Sequence, residues 1–236
     1  MKKIITLLIS FTLILYGCDI LKELEVSTTS GSELTTDEIV QGLKEALRVG
    51  TNNAITTLSR ENGFYGDPQL KIPFPEEAGV VEEKLRSVGM NKLVDDFIMN
   101  MNRGAEKAVT KAGPIFMDAI REIGFSDARN ILNGPDNAAT EYFRENTSQE
   151  LADAFEPDVS QILDQVNVTK YWSDVMSTYN RIPFTQKVET DLAKYVTGKA
   201  VDGLFTMLAA EEKKIREDPV ARVSDILKRV FGSVHL

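Results

Sequence analysis

The chain has 236 residues, with 27 Lys and Arg against 36 Asp and Glu, one cysteine and one histidine. A net charge of −9 repels phosphate backbones, so nucleic acid is not an expected partner, and a lone cysteine leaves no internal disulfide. The single histidine, His235, excludes Ser-His-Asp and Cys-His nucleophiles, His-ligated zinc and the carboxylate–histidine di-iron centres of helical bundles, so no metal and no cofactor is expected.

Met1-Lys2-Lys3 followed by the apolar run Ile4 to Tyr16 has the charged and apolar regions of a secretory signal. The run is shorter than the roughly 20 residues that a membrane-spanning helix needs. Leu15-Tyr16-Gly17-Cys18 resembles the bacterial lipobox, with a branched apolar residue three places before the cysteine and a small one directly before it. That resemblance implies cleavage after residue 17 and a diacylglyceryl group on the Cys18 sulfur. Cleavage removes two lysines and no acid, so the membrane is expected to be reached through acyl chains rather than a basic face. Residues 18–36, ending rich in Ser and Thr, read as the lipidated cysteine and a flexible tether spanning roughly 20–25 Å. The expected location is the bacterial cell envelope, lipid-anchored and facing the periplasm or exterior.

Residues 37–232 carry helical periods almost throughout and predict one all-α, bundle-like domain, followed by a short tail at 233–236. Thr35 to Glu38 forms a capping box, opening a helix with Ile39, Leu43, Leu47, Gly50, Ala54 and Leu58 on one face and an end near Asn62-Gly63. Gly63 to Pro75 holds three prolines and two glycines and reads as a loop or extended crossing, with weak alternation from Leu70 to Phe74. Helices are predicted over 76–87 and 91–112, with Gly113-Pro114 as the break before 115–123. A short helix capped by Ser126 runs to Leu132, where Asn133-Gly134-Pro135 turns the chain. Thr147 to Glu150 reads as a second capping box, opening a helix to about Val166 that Pro157 interrupts. A helix over 170–179, the longest helix from Thr185 to Glu217, and a last one from Ala221 to Phe231 complete the chain.

Thr197-Gly198-Lys199 lacks the earlier glycine of a phosphate loop and lies in a helical pattern, so it is rejected as one. What chemistry remains rests on carboxylates. Glu211 lies four residues after Met207 and four before Ile215, which extends an apolar stripe and predicts a partly buried acid. Its expected partner is one of Arg103, Arg129, Arg144 or Arg222, in an ion pair fixing two helices, with Glu212 one position round on the exposed side. In the stretch Ile131 to Arg144, Asp136 sits in a first turn after Pro135. Asp136, Tyr142 and Arg144, with Arg129 and Glu211, form a candidate polar cleft beside two helix ends.

The segments KIPFPE (71–76), MNRGAEKAV (101–109), ILNGPDNAATEYFR (131–144) and EEKKIREDPVARVSDILKRVFG (211–232) resemble the bacterial family called domain of unknown function 4197. The resemblance implies a secreted or lipid-anchored helical domain and brings no activity or catalytic residue with it. Gly104 departs from the commoner MNRAAEKAV form. The expected role is a non-enzymatic binding or scaffold domain for an envelope protein. One alternative is a carrier of a lipid or other small apolar ligand in a helical pocket; the other is a carboxylate-based hydrolase acting on cell-wall sugar.

Overall fold

The computed structural model describes residues 34–165, individual positions between 172 and 191, and residues 192–233. Contacts divide the chain at Leu34, and the domain described here begins at Thr35. Cys18 and the tether before residue 34 lie outside the described residues, as does half of the helix expected over 170–179.

The described residues are all-α, with no strand among them. The α-helices are α1 (Thr36–Leu58), α2 (Gly79–Ser87), α3 (Asn91–Ala108), α4 (Ala112–Glu122), α5 (Phe125–Leu132), α6 (Ala138–Gln165), α7 (Leu192–Glu217) and α8 (Asp225–Ser233). Single 3-10 turns at Glu76–Ala78, Val109–Lys111 and Pro219–Ala221 bend the chain between them. α6 and α7 pack together, α3 lies against both, and α1 crosses α7 and α4 with α8 over it. Phe116 of α4, Phe143 of α6 and Phe205 of α7 are fully buried, with ring centroids 5.1 Å (Phe116–Phe143) and 6.2 Å (Phe116–Phe205) apart.

α1 starts as its sequence predicts. The Thr35 hydroxyl accepts from the Glu38 N–H and the Glu38 carboxylate accepts from the Thr35 N–H, so two amides that the first turn leaves open are bonded. Leu43, Leu47, Gly50, Ala54 and Leu58 are buried as expected, and the helix ends at Leu58 rather than near Asn62.

Other boundaries differ from expectation. Thr147 does not open a helix: α6 runs unbroken from Ala138 to Gln165 through Pro157, and the Thr147 hydroxyl donates back to the Phe143 carbonyl. A Thr-x-x-Glu pattern inside a helix finds that carbonyl one turn earlier and has no open amide to cap. α7 begins at Leu192, where Asp191 accepts from the Lys194 N–H, so at 26 residues it is shorter than the 28 of α6. The break after α3 comes at Val109, before Gly113-Pro114, and Pro114 sits in the first turn of α4, where no intrahelical bond is lost.

The segment before α2 is a strap held down by side chains. Leu70, Ile72 and Phe74 are buried while Lys71 and Pro73 are exposed, so the weak alternation is real, but no strand pairs with it. The Asn102 amide of α3 takes the place of a neighbouring strand. Its Oδ1 accepts from the Ile72 N–H at 2.8 Å, and its Nδ2 donates to the Ile72 carbonyl at 2.9 Å and to the Ile98 carbonyl at 2.8 Å. One turn on, the buried Glu106 carboxylate accepts from the Phe64 and Tyr65 N–H groups, each at 3.2 Å, and from Arg103 at 2.5 Å. Phe64 lies fully buried against Gly203 of α7, where a Cβ would come within 2.6 Å of its ring, so this close approach requires glycine.

Tyr195 of α7 donates its hydroxyl to the Pro73 carbonyl at 3.3 Å. Burial first, then the nearby Glu77 and Glu76 carboxylates, push its pKa up to about 12. The folded state therefore holds this proton more tightly than the unfolded chain, whose tyrosines titrate near pH 10. Unfolding free energy should fall as pH rises from about 10 to about 12, and Tyr195→Phe should flatten that decline in alkaline denaturant titrations.

Candidate functional site

The five residues of the expected cleft have separate surroundings. Asp136 and Arg129 are exposed on either side of the α5–α6 turn. Tyr142 is half-buried, and burial, then Asp127 and Glu122, raise its hydroxyl pKa. Arg144 places its guanidinium 4.6 Å over the Phe205 ring, with Asp202 at 3.4 Å and Glu141 at 3.7 Å. The Glu211 carboxylate accepts from the Asn53 amide of α1 at 2.8 Å and has Lys214 at 3.9 Å. Among the described residues no hydrogen bond or ion pair joins any two of the five.

None of the arginines expected beside Glu211 is its partner. Arg103 serves Glu106, Glu61 and Asn62, and Arg222 donates to the Ile215 and Arg216 carbonyls at the end of α7. Glu211 is partly buried, its side chain 16 % exposed, but the acid buried in an ion pair is Glu212, 8 % exposed, which was expected on the exposed side and is paired with Arg216, 4 % exposed, at 2.8 Å. The reason is the path of the stripe. Leu192, Val196, Ala200, Leu204 and Leu208 step by four, and two further steps give Glu212 and Arg216, whereas Glu211 follows the half-buried Met207.

This pair clasps two helix ends. The Glu212 carboxylate accepts from the Ala139 N–H at 3.0 Å, the Thr140 N–H at 2.9 Å and the Thr140 hydroxyl at 2.9 Å, all in the first turn of α6. Arg216 donates to the Ile131 carbonyl at 2.8 Å and the Leu132 carbonyl at 3.4 Å, in the last turn of α5. The anion thus meets open amides at a positive helix end and the cation meets open carbonyls at a negative one. Both charges are occupied by the protein's own backbone. Beside them, a cavity of about 20 Å³ lies between Leu43, Leu47, Ala139, Leu208, Ile215 and Arg216, with room for about one water.

The surface offers a different feature. α2 buries none of its residues, and the turn into α3 presents Val88 and Met90, and the first turn of α3 Leu93, to solvent, 69 %, 47 % and 57 % exposed, with Val80 exposed further back on α2. Gly89 makes this turn at φ 85°, a conformation that residues with a Cβ seldom adopt. Arg86 steadies the hairpin, bonded at 2.9 Å to both Glu82 of α2 and Asp95 of α3. The apolar spacing over 91–112 puts Leu93 on the inward face with Val94, and Met90 reads as core filler, but both are exposed, because at this end α3 faces only α2 and no deeper helix among the described residues covers them.

A family model described as a protein of unknown function (DUF4197) matches residues 33–232. The chain belongs to the DUF4197 family. No curated protein and no solved structure matches it. The four DUF4197 segments recognised in the sequence meet in pairs: 71–76 with 101–109 through Asn102, and 131–144 with 211–232 through Glu212 and Arg216. Gly104, where this DUF4197 chain departs from the commoner form, has ordinary van der Waals room for a Cβ, with Val159 Cα at 3.6 Å. Gly104→Ala should therefore raise stability by about 1 kcal/mol through helix propensity, read as a higher denaturant midpoint with an unchanged slope.

Proposed function

We propose that this protein is a lipid-anchored, non-enzymatic binding domain of the bacterial envelope, docking a partner through the tip of the α2–α3 hairpin. One observation carries the docking: three large apolar side chains within six residues stand in solvent where α2, which buries none of its residues, meets the start of α3. Exposed apolar clusters of this kind mark interaction sites more often than scattered single residues do. The most deeply buried charged and amide side chains, Glu212, Arg216, Glu106 and Asn102, are bonded to backbone of their own chain, which supports a structural role for them over a catalytic one. A lipid carrier needs an enclosed apolar pocket; the cavity beside Arg216 is water-sized, and the larger one, about 500 Å³, is an open surface groove with Lys44, Glu45 and Arg48 among its lining residues.

The anchor rests on the lipobox-like Leu15 to Cys18. Labelled fatty acid should enter the wild-type protein, and Cys18→Ser should abolish both the labelling and the partition into detergent. Labelling that survives this substitution would overturn the anchor. For the docking surface, a photocrosslinking amino acid in place of Val88 or Leu93 should give adducts in intact cells. The same residue at exposed Lys213 on α7 should give none.

A further inference from the structure

The chain contains two Asn-Gly pairs, Asn62-Gly63 and Asn133-Gly134. Such a pair carries its own reaction, because a glycine has no side chain to shield its backbone nitrogen. That nitrogen attacks the asparagine Cγ: an N–C bond forms, the Cγ–Nδ2 bond breaks, and the N–H proton leaves with Nδ2 as ammonia. Water then opens the five-membered imide at either carbonyl and leaves aspartate or isoaspartate, with nothing oxidised or reduced. The fold imposes the glycine at both places. A Cβ at Gly63 would lie 2.3 Å from the Leu58 carbonyl oxygen, and one at Gly134 would lie 2.7 Å from the Ala138 Cβ and 2.8 Å from the Asn130 carbonyl oxygen.

Both asparagines are exposed, so access does not separate them. Bonding does. Asn62 Oδ1 accepts from Arg103 at 2.9 Å, its main-chain carbonyl accepts from the Gly66 N–H at 2.9 Å, and the Gly63 N–H donates to the Arg60 carbonyl at 2.9 Å. The next two amides are held by the buried Glu106. At Asn133 the side chain makes one bond, from Nδ2 to the Arg129 carbonyl at 2.9 Å, and ψ 0° turns the Gly134 nitrogen away from Cγ. Ring closure needs that amide to swing, and a single long bond of 3.3 Å to the Ile131 carbonyl holds it. Arg216 steadies the same carbonyl and that of Leu132, directly before Asn133, while Glu212 grips the start of α6 beyond the turn.

We propose that Asn133 is a deamidation site of the folded protein and that the Glu212–Arg216 clasp sets its rate. The product loosens the corner that governs it. Isoaspartate puts an extra carbon into the main chain between the two clasped helix ends, and either product places a negative charge at the negative end of α5.

The test ages the full-length protein in warm, mildly alkaline buffer and follows residues 62 and 133 by peptide mass spectrometry and isoaspartyl methyltransferase labelling. In denaturant the two pairs should react at similar rates. In the folded protein Asn133 should outrun Asn62 by about tenfold or more, the ratio that a barrier lower by about 1.4 kcal/mol produces. Arg216→Lys keeps a charge for Glu212 but lacks the planar fork that reaches both carbonyls, so it should speed the reaction at 133 severalfold and leave 62 unchanged. An unchanged far-ultraviolet dichroism spectrum establishes that this variant folds. Independently of it, the unfolding midpoint of the wild-type protein should fall with age, while that of Asn133→Gln, which cannot close the five-membered ring, should hold. Equal rates at the two sites, faster reaction at Asn62, or no reaction at Asn133 in the folded protein would overturn the site. A rate at 133 that ignores Arg216→Lys, or a rise shared equally by 62, would overturn the control by the clasp. A midpoint that falls alike in Asn133→Gln would overturn the loosening of the corner.

Discussion

Glu212→Gln should lower the unfolding free energy by about 3–5 kcal/mol, because it leaves Arg216 buried without its counter-charge. For a domain of this size that is a fall in Tm on the order of 10 °C, measurable by thermal unfolding followed by far-ultraviolet dichroism. Glu211→Gln is the matched control. Its carboxylate is partly buried but bonds a neutral amide, and the glutamine keeps a carbonyl for Asn53 and leaves no buried charge unpaired, so the loss should be about 1 kcal/mol or less. A double replacement, Glu212→Met with Arg216→Met, sharpens the reading. Buried ion pairs can often be exchanged for apolar side chains at little cost. Here the exchange also strips the caps from Ala139, Thr140 and Leu132 and leaves the Ile131 carbonyl only its bond from the Gly134 N–H, so the double variant should stay clearly destabilised. Recovery to wild-type stability would mean that the two helix ends do not depend on the clasp.

Asn102→Leu should produce the second large effect. It keeps similar bulk and removes all three side-chain bonds, leaving the N–H and carbonyl of Ile72 buried without partners. At roughly 1–3 kcal/mol for each orphaned group, the cost is about 2–6 kcal/mol. The damage should begin locally. Amide hydrogen exchange at Ile72 and protease cleavage within residues 63–75 should accelerate before the α6–α7 core loosens. Exchange that rises equally in the strap and in α7 would show that the strap does not open as a unit of its own.

These two sites also mark the limit of what was legible in the sequence. The all-α class and the start of α1 were readable because they rest on local signals, Thr35 facing Glu38 and apolar residues three and four apart. The false start at Thr147 came from a local signal too, since the pattern does not say whether the amide ahead of it is open. Glu212 and Arg216 lay on the step-of-four stripe from Leu192 to Leu208, but following Met207 instead moved attention to Glu211. Even on the right stripe, the clasp could not have been named. Its partners are backbone groups of residues 131–140, and the amides and carbonyls of a turn look alike in every sequence. The same holds for Asn102, whose partner is the backbone of Ile72, 30 residues earlier. The expected cleft drew together polar residues that are close in sequence, and the structure gives each its own neighbours.

The clasp also sets an order of events for a chain that emerges amino end first. The amides of Ala139 and Thr140 and the carboxylate that bonds them are separated by 73 and 72 positions. When the α5–α6 corner has left the ribosome, the residues that lock it are still to come, and water must serve those groups meanwhile. Closing so long a loop is slow compared with forming a helix. Helices α1 to α6 can therefore collapse early, but their corner stays unlatched until residue 216 arrives. Truncation before Glu212 should leave a compact chain that never sets, open to proteases at Asn133-Gly134, so that the segment 212–236 acts as the timer for the rest.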